Sequence, residues 1–182
     1  MNEARWATPD LQSLVDIFYD DPSELGEFRE LPQTELPGEY QSLLAHDAHM
    51  TVTLEEFHQS EVSVEVLDFQ RTATHYSRKI ILRRISDNVP VLYGIVRLSL
   101  DFLPEHVQLE IVAQKTPLGR VLIQNNILRN VKLLTLWEVK PGAELEQIYA
   151  DASIKDPVCY GRTALIYCDG LPAVELLEIA KI

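Results

Sequence analysis

Three groups of residues in this chain have types and spacings suited to chemistry. The first is Arg78, in the strand-like run Tyr76-Ser77-Arg78-Lys79-Ile80-Ile81-Leu82-Arg83-Arg84. Parity puts Arg78 and Arg84 on one face and Lys79 and Arg83 on the other. Such charges either guard a sheet face or edge against pairing, or one of them turns into a cavity and holds a carboxylate through its two-pronged guanidinium. The second group is Glu175 and Glu178, which interrupt the apolar run Val174, Leu176, Leu177, Ile179. A glutamate there sits on a solvated face or is a buried functional acid. The third is Gln114-Lys115-Thr116-Pro117-Leu118-Gly119-Arg120, between the apolar periodic segments at 107–112 and 121–128. Thr116 suits a helix N-cap and Pro117 the first helical position. The N–H groups of Leu118 and Gly119 would then have no intrahelical partners, at the positive end of a helix dipole that favours a carboxylate.

Other chemistries find no support. His46, His49 and His58 lie near Asp47, Glu55 and Glu56, but no HExxH, CxxC or His-x-His spacing occurs, so a solvated acidic surface is expected and no metal. The seven glycines are scattered, with no phosphate-cradling loop, and no nucleophile elbow is visible. What remains is anion capture by arginine and backbone N–H groups.

The elements that must position these groups follow from pattern. With 182 residues, 46% hydrophobic and 24% charged, a single soluble domain is expected, an N-terminal helix and arm over 1–37 and a core over 38–182. The net charge of −12 argues against nucleic acid and anionic membranes, and no run is long enough to span a bilayer; a cytoplasmic location is the expectation. Cys159 and Cys168 read as buried free thiols. Residues 8–20 suggest a helix capped by Thr8 with Pro9 following. Residues 21–37, with Pro22, Gly26, Pro32 and Pro37, suggest a loop or lid. Helices are expected over 38–46, 52–58 and on both sides of Thr116. Strands are expected over 61–69, 75–85, 90–100 and 131–139, the last with Val131, Leu133, Thr135 and Trp137 on one face, and a weaker one over 145–154. A final hairpin, 161–168 with 171–179, turns at Asp169-Gly170. The class is α+β: strands in hairpins, with helices inserted in two blocks, give an antiparallel domain.

Four segments, in order, resemble the chorismate lyase family: Leu43-Leu44 with Asp47-Ala48-His49-Met50-Thr51; Tyr76 to Leu82 followed by Pro90-Val91-Leu92-Tyr93-Gly94; Lys115-Thr116-Pro117-Leu118-Gly119-Arg120; and Tyr160-Gly161-Arg162 with Gly170-Leu171-Pro172 and the glutamates after it. The hexapeptide is the specific part, and the resemblance spans residues 40–179. It implies an α+β fold, an antiparallel sheet of about six strands with helices packed on one side and enclosing a ligand cavity, and conversion of chorismate to 4-hydroxybenzoate and pyruvate without a cofactor, feeding quinone or related aromatic synthesis. It also implies roles. Arg78 binds the ring carboxylate, the N–H groups of Met50 and Leu118 add hydrogen bonds with Thr116 and Gly119 beside them, and Glu178 or Glu175 meets the ring hydroxyl. The local context Leu177-Glu178-Ile179 favours Glu178; strand parity favours Glu175. The alternative is a non-catalytic sensor of a small carboxylate, built on the related UTRA ligand-binding fold. UTRA domains follow a DNA-binding winged helix, for which a chain of 182 residues with a net charge of −12 is expected to leave no room.

Overall fold

A computed structural model describes residues 10–127, 129–150 and 158–182. Among these residues seven antiparallel strands make one sheet: β1 (Gly26–Leu31), β2 (Val62–Arg71), β3 (His75–Arg84), β4 (Pro90–Ser99), β5 (Arg129–Pro141), β6 (Cys159–Cys168) and β7 (Leu171–Ala180), in the spatial order β1-β5-β6-β7-β4-β3-β2. The hairpin β6–β7 turns at Asp169 and Gly170, φ +50 and +84, the left-handed pair that matches strand twist. Among the described residues six α-helices accompany the sheet: α1 (Leu11–Val15), α2 (Gly38–Leu44), α3 (Met50–His58), α4 (Glu105–Val112), α5 (Leu118–Gln124) and α6 (Ala143–Ile148).

The central strands β4, β6 and β7 are buried along nearly their whole length, so both faces of the sheet need a cover. Helices α2 to α5 cover one face. There Leu43, Leu44 and Leu54 pack on Ile80, Leu82 and Leu92, while Val107, Ile111, Val121 and Leu122 pack on Val96, Ile166 and Leu176. The other face is partly covered as well. Leu14 and Val15 of α1 and Leu145 of α6 pack on Tyr93, Ile95, Leu177 and Ile179. Tyr149, after α6, donates to the Ile179 carbonyl at 2.8 Å and accepts from the Tyr93 N–H at 3.0 Å. The helical layer is therefore split four and two across the faces.

Several expectations change. The arm over 21–37 contains β1, which pairs with β5 from Gly26↔Pro141 to Leu31↔Leu136; its prolines and Gly26 flank the strand, which hid it. Asp10, not Thr8, caps α1, its carboxylate accepting from the Ser13 N–H at 2.7 Å; Thr8 and Pro9 lie outside the described residues. Helix α3 starts at Met50 with His49 as N-cap, and α5 starts at Leu118 with Pro117 as N-cap. Residues 143–148 form α6, not a strand: Leu145 is its buried anchor, Glu144 pairs with Lys79 of β3 at 3.0 Å, and Glu146 and Gln147 are exposed; residues 151–154 of that expectation lie outside the described residues. A register shift between Leu133 and Thr135 breaks the face expected of β5. Val131 and Leu133 stay on the α2–α5 side, whereas Trp137 sits on the other, edge-on to Phe28.

Gly161 is where β6 and β7 need the absence of a side chain: a Cβ there would stand 2.6 Å from the Glu178 carbonyl oxygen. A backbone atom in a central strand cannot move aside cheaply. Gly161→Ala should therefore lower unfolding stability in urea by about 2 kcal/mol, whereas Gly38→Ala, whose added methyl would meet nothing within 4 Å, should leave it unchanged within about 0.5 kcal/mol. Equal stabilities would contradict this.

Candidate functional site: a cavity with two buried arginines

A cavity lies between the sheet and the starts of α3 and α5. It has about 50 Å³ open to the centre of a water-sized sphere, several times what one water needs. Ile80, Leu92, Val96, Ile166 and Leu176 give it apolar walls; the polar groups are Arg78, Arg162, Glu178, His49 and the helix starts at Met50-Thr51 and Leu118-Gly119.

Strand pairing places the charged groups. Arg78 lies opposite Val96, Val96 opposite Leu176, and Glu178 two residues farther along β7, opposite Gly94. Two strand spacings and two residues of rise put the Arg78 and Glu178 Cα atoms about 12 Å apart on one face. Gly94 between them adds no side chain. Glu175 is three residues from Glu178 and therefore points to the opposite face, where it pairs with Arg97, its cross-strand partner. Of the two glutamates, Glu178 is in the cavity. Thr116 is not on the cavity wall and makes no cap hydrogen bond; Pro117, Leu118 and Gly119 are on it. No residue of 21–37 lines the cavity, so the expected lid gives way to the α2–α3 and α4–α5 turns.

The two arginines differ in how they are satisfied. Arg162 is fully buried, and its Nε donates to Glu178 at 2.7 Å. Its Nη1 donates to the His46 carbonyl at 2.7 Å and its Nη2 to the Ala48 carbonyl at 3.2 Å. These carbonyls follow α2, the negative end of a helix dipole, where a cation is favoured. Arg162 thus ties the α2–α3 turn to the sheet and holds Glu178 in place. Arg78 is 1% exposed, yet among the described residues it has no carboxylate partner, and its Nε has no hydrogen-bond partner. Its Nη1 reaches only the Ile111 carbonyl, at a long 3.5 Å. Burial pulls its guanidinium below the usual range, opposed by the Tyr76 hydroxyl. A buried cation short of a partner is costly and is suited to receive an anion.

Helices α3 and α5 meet closely above the cavity. A Cβ on Gly119 would lie 2.9 Å from the Thr51 Oγ1, and Arg120 forms an ion pair with Glu55 of α3. The hexapeptide thus supplies a cavity wall, a close helix contact and a charge clasp. In α5 the hydrogen bonds begin with Arg120 and Val121 donating to the Pro117 carbonyl, which places the Leu118 and Gly119 N–H groups ahead of the helical ladder. Sequence reasoning did not assign Arg162 or His49 to the site. Arg162 carried a signal of its own, as the single charged residue in Cys159–Cys168. His49 carried none, because an N-cap histidine reads as surface.

Among the described residues no three His, Cys, Asp or Glu side chains are grouped to hold a metal. His46 accepts from the Ala48 N–H through Nδ1 and meets the Leu43 carbonyl through Nε2, the pattern of a neutral ring.

No protein-family model matches the chain, and no curated protein matches it in sequence. Solved structures of the same fold do. PhnF from Mycobacterium smegmatis aligns with a TM-score of 0.52 at 12% identity over 74% of this chain and 64% of that one. A possible transcriptional regulator, YydK from Bacillus subtilis, gives 0.49 at 10% over 66% and 58%. The C-terminal domain of the histidine utilization repressor from Pseudomonas syringae gives 0.42 at 10% over 66% and 91%. The chain thus spans 64% of the length of PhnF and 58% of that of YydK. The fold shared with PhnF is the antiparallel sheet with its helices. At such identities the likeness speaks for fold alone. No helix among the described residues is long and apolar enough to cross a membrane.

Two outcomes follow from the unlike arginines. Arg78→Met should leave the urea unfolding free energy unchanged or raise it by up to about 2 kcal/mol, whereas Arg162→Met, which strands Glu178 and three carbonyls, should cost about 3 kcal/mol or more. A large loss in Arg78→Met would contradict the reading of Arg78 as unpaired. The second concerns pH. Burial first, and then the charges of Arg129 and Arg162, hold His49 down to about 4, against about 6.5 in an unfolded chain. Between these values the unfolded chain binds the extra proton, so the stability His49 contributes is present above about pH 6.5 and is lost as pH falls towards 4. His49→Gln should flatten this part of the stability–pH curve; an unchanged slope would contradict it.

Proposed function

We propose that the chain is a small-molecule-binding domain whose cavity takes a ring carboxylic acid, with Arg78 as the anchor. The observation that carries this reading is the buried guanidinium on the cavity wall whose Nε has no partner. A carboxylate there restores charge balance and satisfies the donor. Glu178, held by Arg162, is the acceptor for a hydroxyl at the far end, and the apolar walls suit a flat ring between them. The Met50 and Leu118 N–H groups add hydrogen bonds at the cavity edge. The fold shared with regulator domains supports binding without turnover, with the ligand as a signal.

A second reading is chorismate pyruvate-lyase, and a specific observation favours it: the residues that resemble that family converge on one cavity. Met50, Arg78, Leu118, Gly119, Arg162 and Glu178 come from four separate segments, yet all line it. The reaction needs little chemistry from the protein. The C4 proton leaves, its electron pair forms the last ring double bond, and the C3 ether bond breaks to release enolpyruvate, which becomes pyruvate on protonation. Glu178, beside the 4-hydroxyl, is placed to take the C4 proton. Arg78 orients the ring, and the water-poor walls strengthen both interactions. No cofactor enters the scheme, and 4-hydroxybenzoate would be held firmly as product.

The test is titration of purified protein with 4-hydroxybenzoate, together with a coupled pyruvate assay on chorismate. Binding that vanishes in Arg78→Met and persists in Glu175→Gln is the expected result; failure of the wild type to bind 4-hydroxybenzoate or chorismate would overturn the reading. Pyruvate release, reduced at least about 100-fold in Glu178→Gln, selects the lyase. Binding without pyruvate selects the sensor.

A further inference from the structure

The proposed anchor leaves a second unsatisfied cation unexplained. Beside the cavity lies an open cleft lined by Asp47, His49, Asn126, Arg129 and Asn130, and the two share His49 and Val131 as a common wall. The cleft continues past Arg129 and Asn130 to Tyr167 and Gly170. Arg129 opens β5. Its Nη1 donates to the Ile127 carbonyl at 3.1 Å, but its Nε is buried and has no partner. The Nε2 of His49, on the shared wall, is likewise buried without a partner. The one carboxylate in the cleft, Asp47, accepts from the Leu133 N–H at 2.9 Å, and among the described residues no ion pair joins it to Arg129.

From this we infer that Arg129, with His49 beside it, is an outer carboxylate-binding station at the side of the cavity. The reasoning rests on the proposed ring-acid reading for its ligand class, and on separate atoms for its site. An anion approaching a chain of net charge −12 is repelled at long range, so a local cation at the approach has a steering role. Arg129 lines the cleft and supplies that cation, with an Nε–H that has no partner among the described residues, while neutral His49 adds a donor or acceptor without adding charge. Two sources could place a carboxylate there: the second acid of a dicarboxylate whose ring acid is on Arg78, or a separate monocarboxylate in transit. The chemistry at Arg129 is the same.

The experiment uses the full-length, 15N-labelled chain and observes the arginine Nε–H resonances, with Arg129 assigned by its loss in Arg129→Gln. Benzoate is the monocarboxylate probe and 3-(carboxymethoxy)benzoate the dicarboxylate. Each is titrated into the wild type and into Arg78→Met. A saturable shift of the Arg129 resonance with benzoate in both proteins supports a station for separate carboxylates. A shift only with the dicarboxylate, present in the wild type and lost in Arg78→Met, supports the bridging source; Arg129→Gln should then weaken the dicarboxylate about tenfold and benzoate less than about threefold. An Arg129 resonance that stays still with both probes in both proteins overturns the inference, whatever Arg78 does. An Arg78 resonance that stays still while Arg129 moves would overturn the anchor reading instead.

Discussion

The structure depends on an imbalance of charge inside the sheet. Two arginines are buried on the same face, and among the described residues one of them has a carboxylate counter-ion and the other does not. Arg162 is matched by Glu178 and by the carbonyls after α2, so it is part of the scaffold. Arg78, three strands away, has among the described residues Tyr76 and a distant carbonyl beside it. A fold retains a buried cation in this state only if the rest of the domain is stable enough to carry its cost. The apolar packing of Leu43, Leu54, Val107 and Val121 onto the sheet supplies that stability.

Position follows from this division. Because Arg162 grips the α2–α3 turn, the start of α3 is fixed over the cavity. Because Gly119 lets α5 approach Thr51, and Arg120 pairs with Glu55, α5 is fixed against α3. The cavity is therefore framed by the same contacts that hold its acid in place. A group that binds at Arg78 would meet walls already set, and little ordering would remain to oppose binding.

Much of this was legible in the sequence, for identifiable reasons. The antiparallel α+β class, the strands carrying Arg78 and Glu178 and the turn at Asp169-Gly170 were readable because alternation and turn chemistry are local signals. Alternation left Arg78 among four cations of one strand, with Lys79, Arg83 and Arg84, and the resemblance singled it out. The choice between Glu175 and Glu178 could not be read, because it depends on which face of β7 meets the helices, and a strand apolar on both faces does not say. The first strand was hidden for a related reason: Gly26–Leu31 gains its pairing from β5, more than a hundred residues later. The register shift at Leu133 and Thr135 left no mark in the alternation, so the outward turn of Trp137 was unreadable. Helix α6 was taken for strand because it is short and has a single buried anchor. Position in the chain, not residue type, concealed His49 and Arg129.

The distinction between sensing and lysis lies outside the fold, since the same arginine and the same walls serve both. The claim beneath both is narrower: a carboxylate belongs on the Arg78 guanidinium. Crystals grown with 4-hydroxybenzoate test it most directly. The account predicts the ligand carboxylate within hydrogen-bond distance of the Arg78 Nε and the phenolic oxygen towards Glu178. An empty cavity, or a ligand whose carboxylate points away from Arg78 with that guanidinium unmoved and still unpartnered, would contradict it.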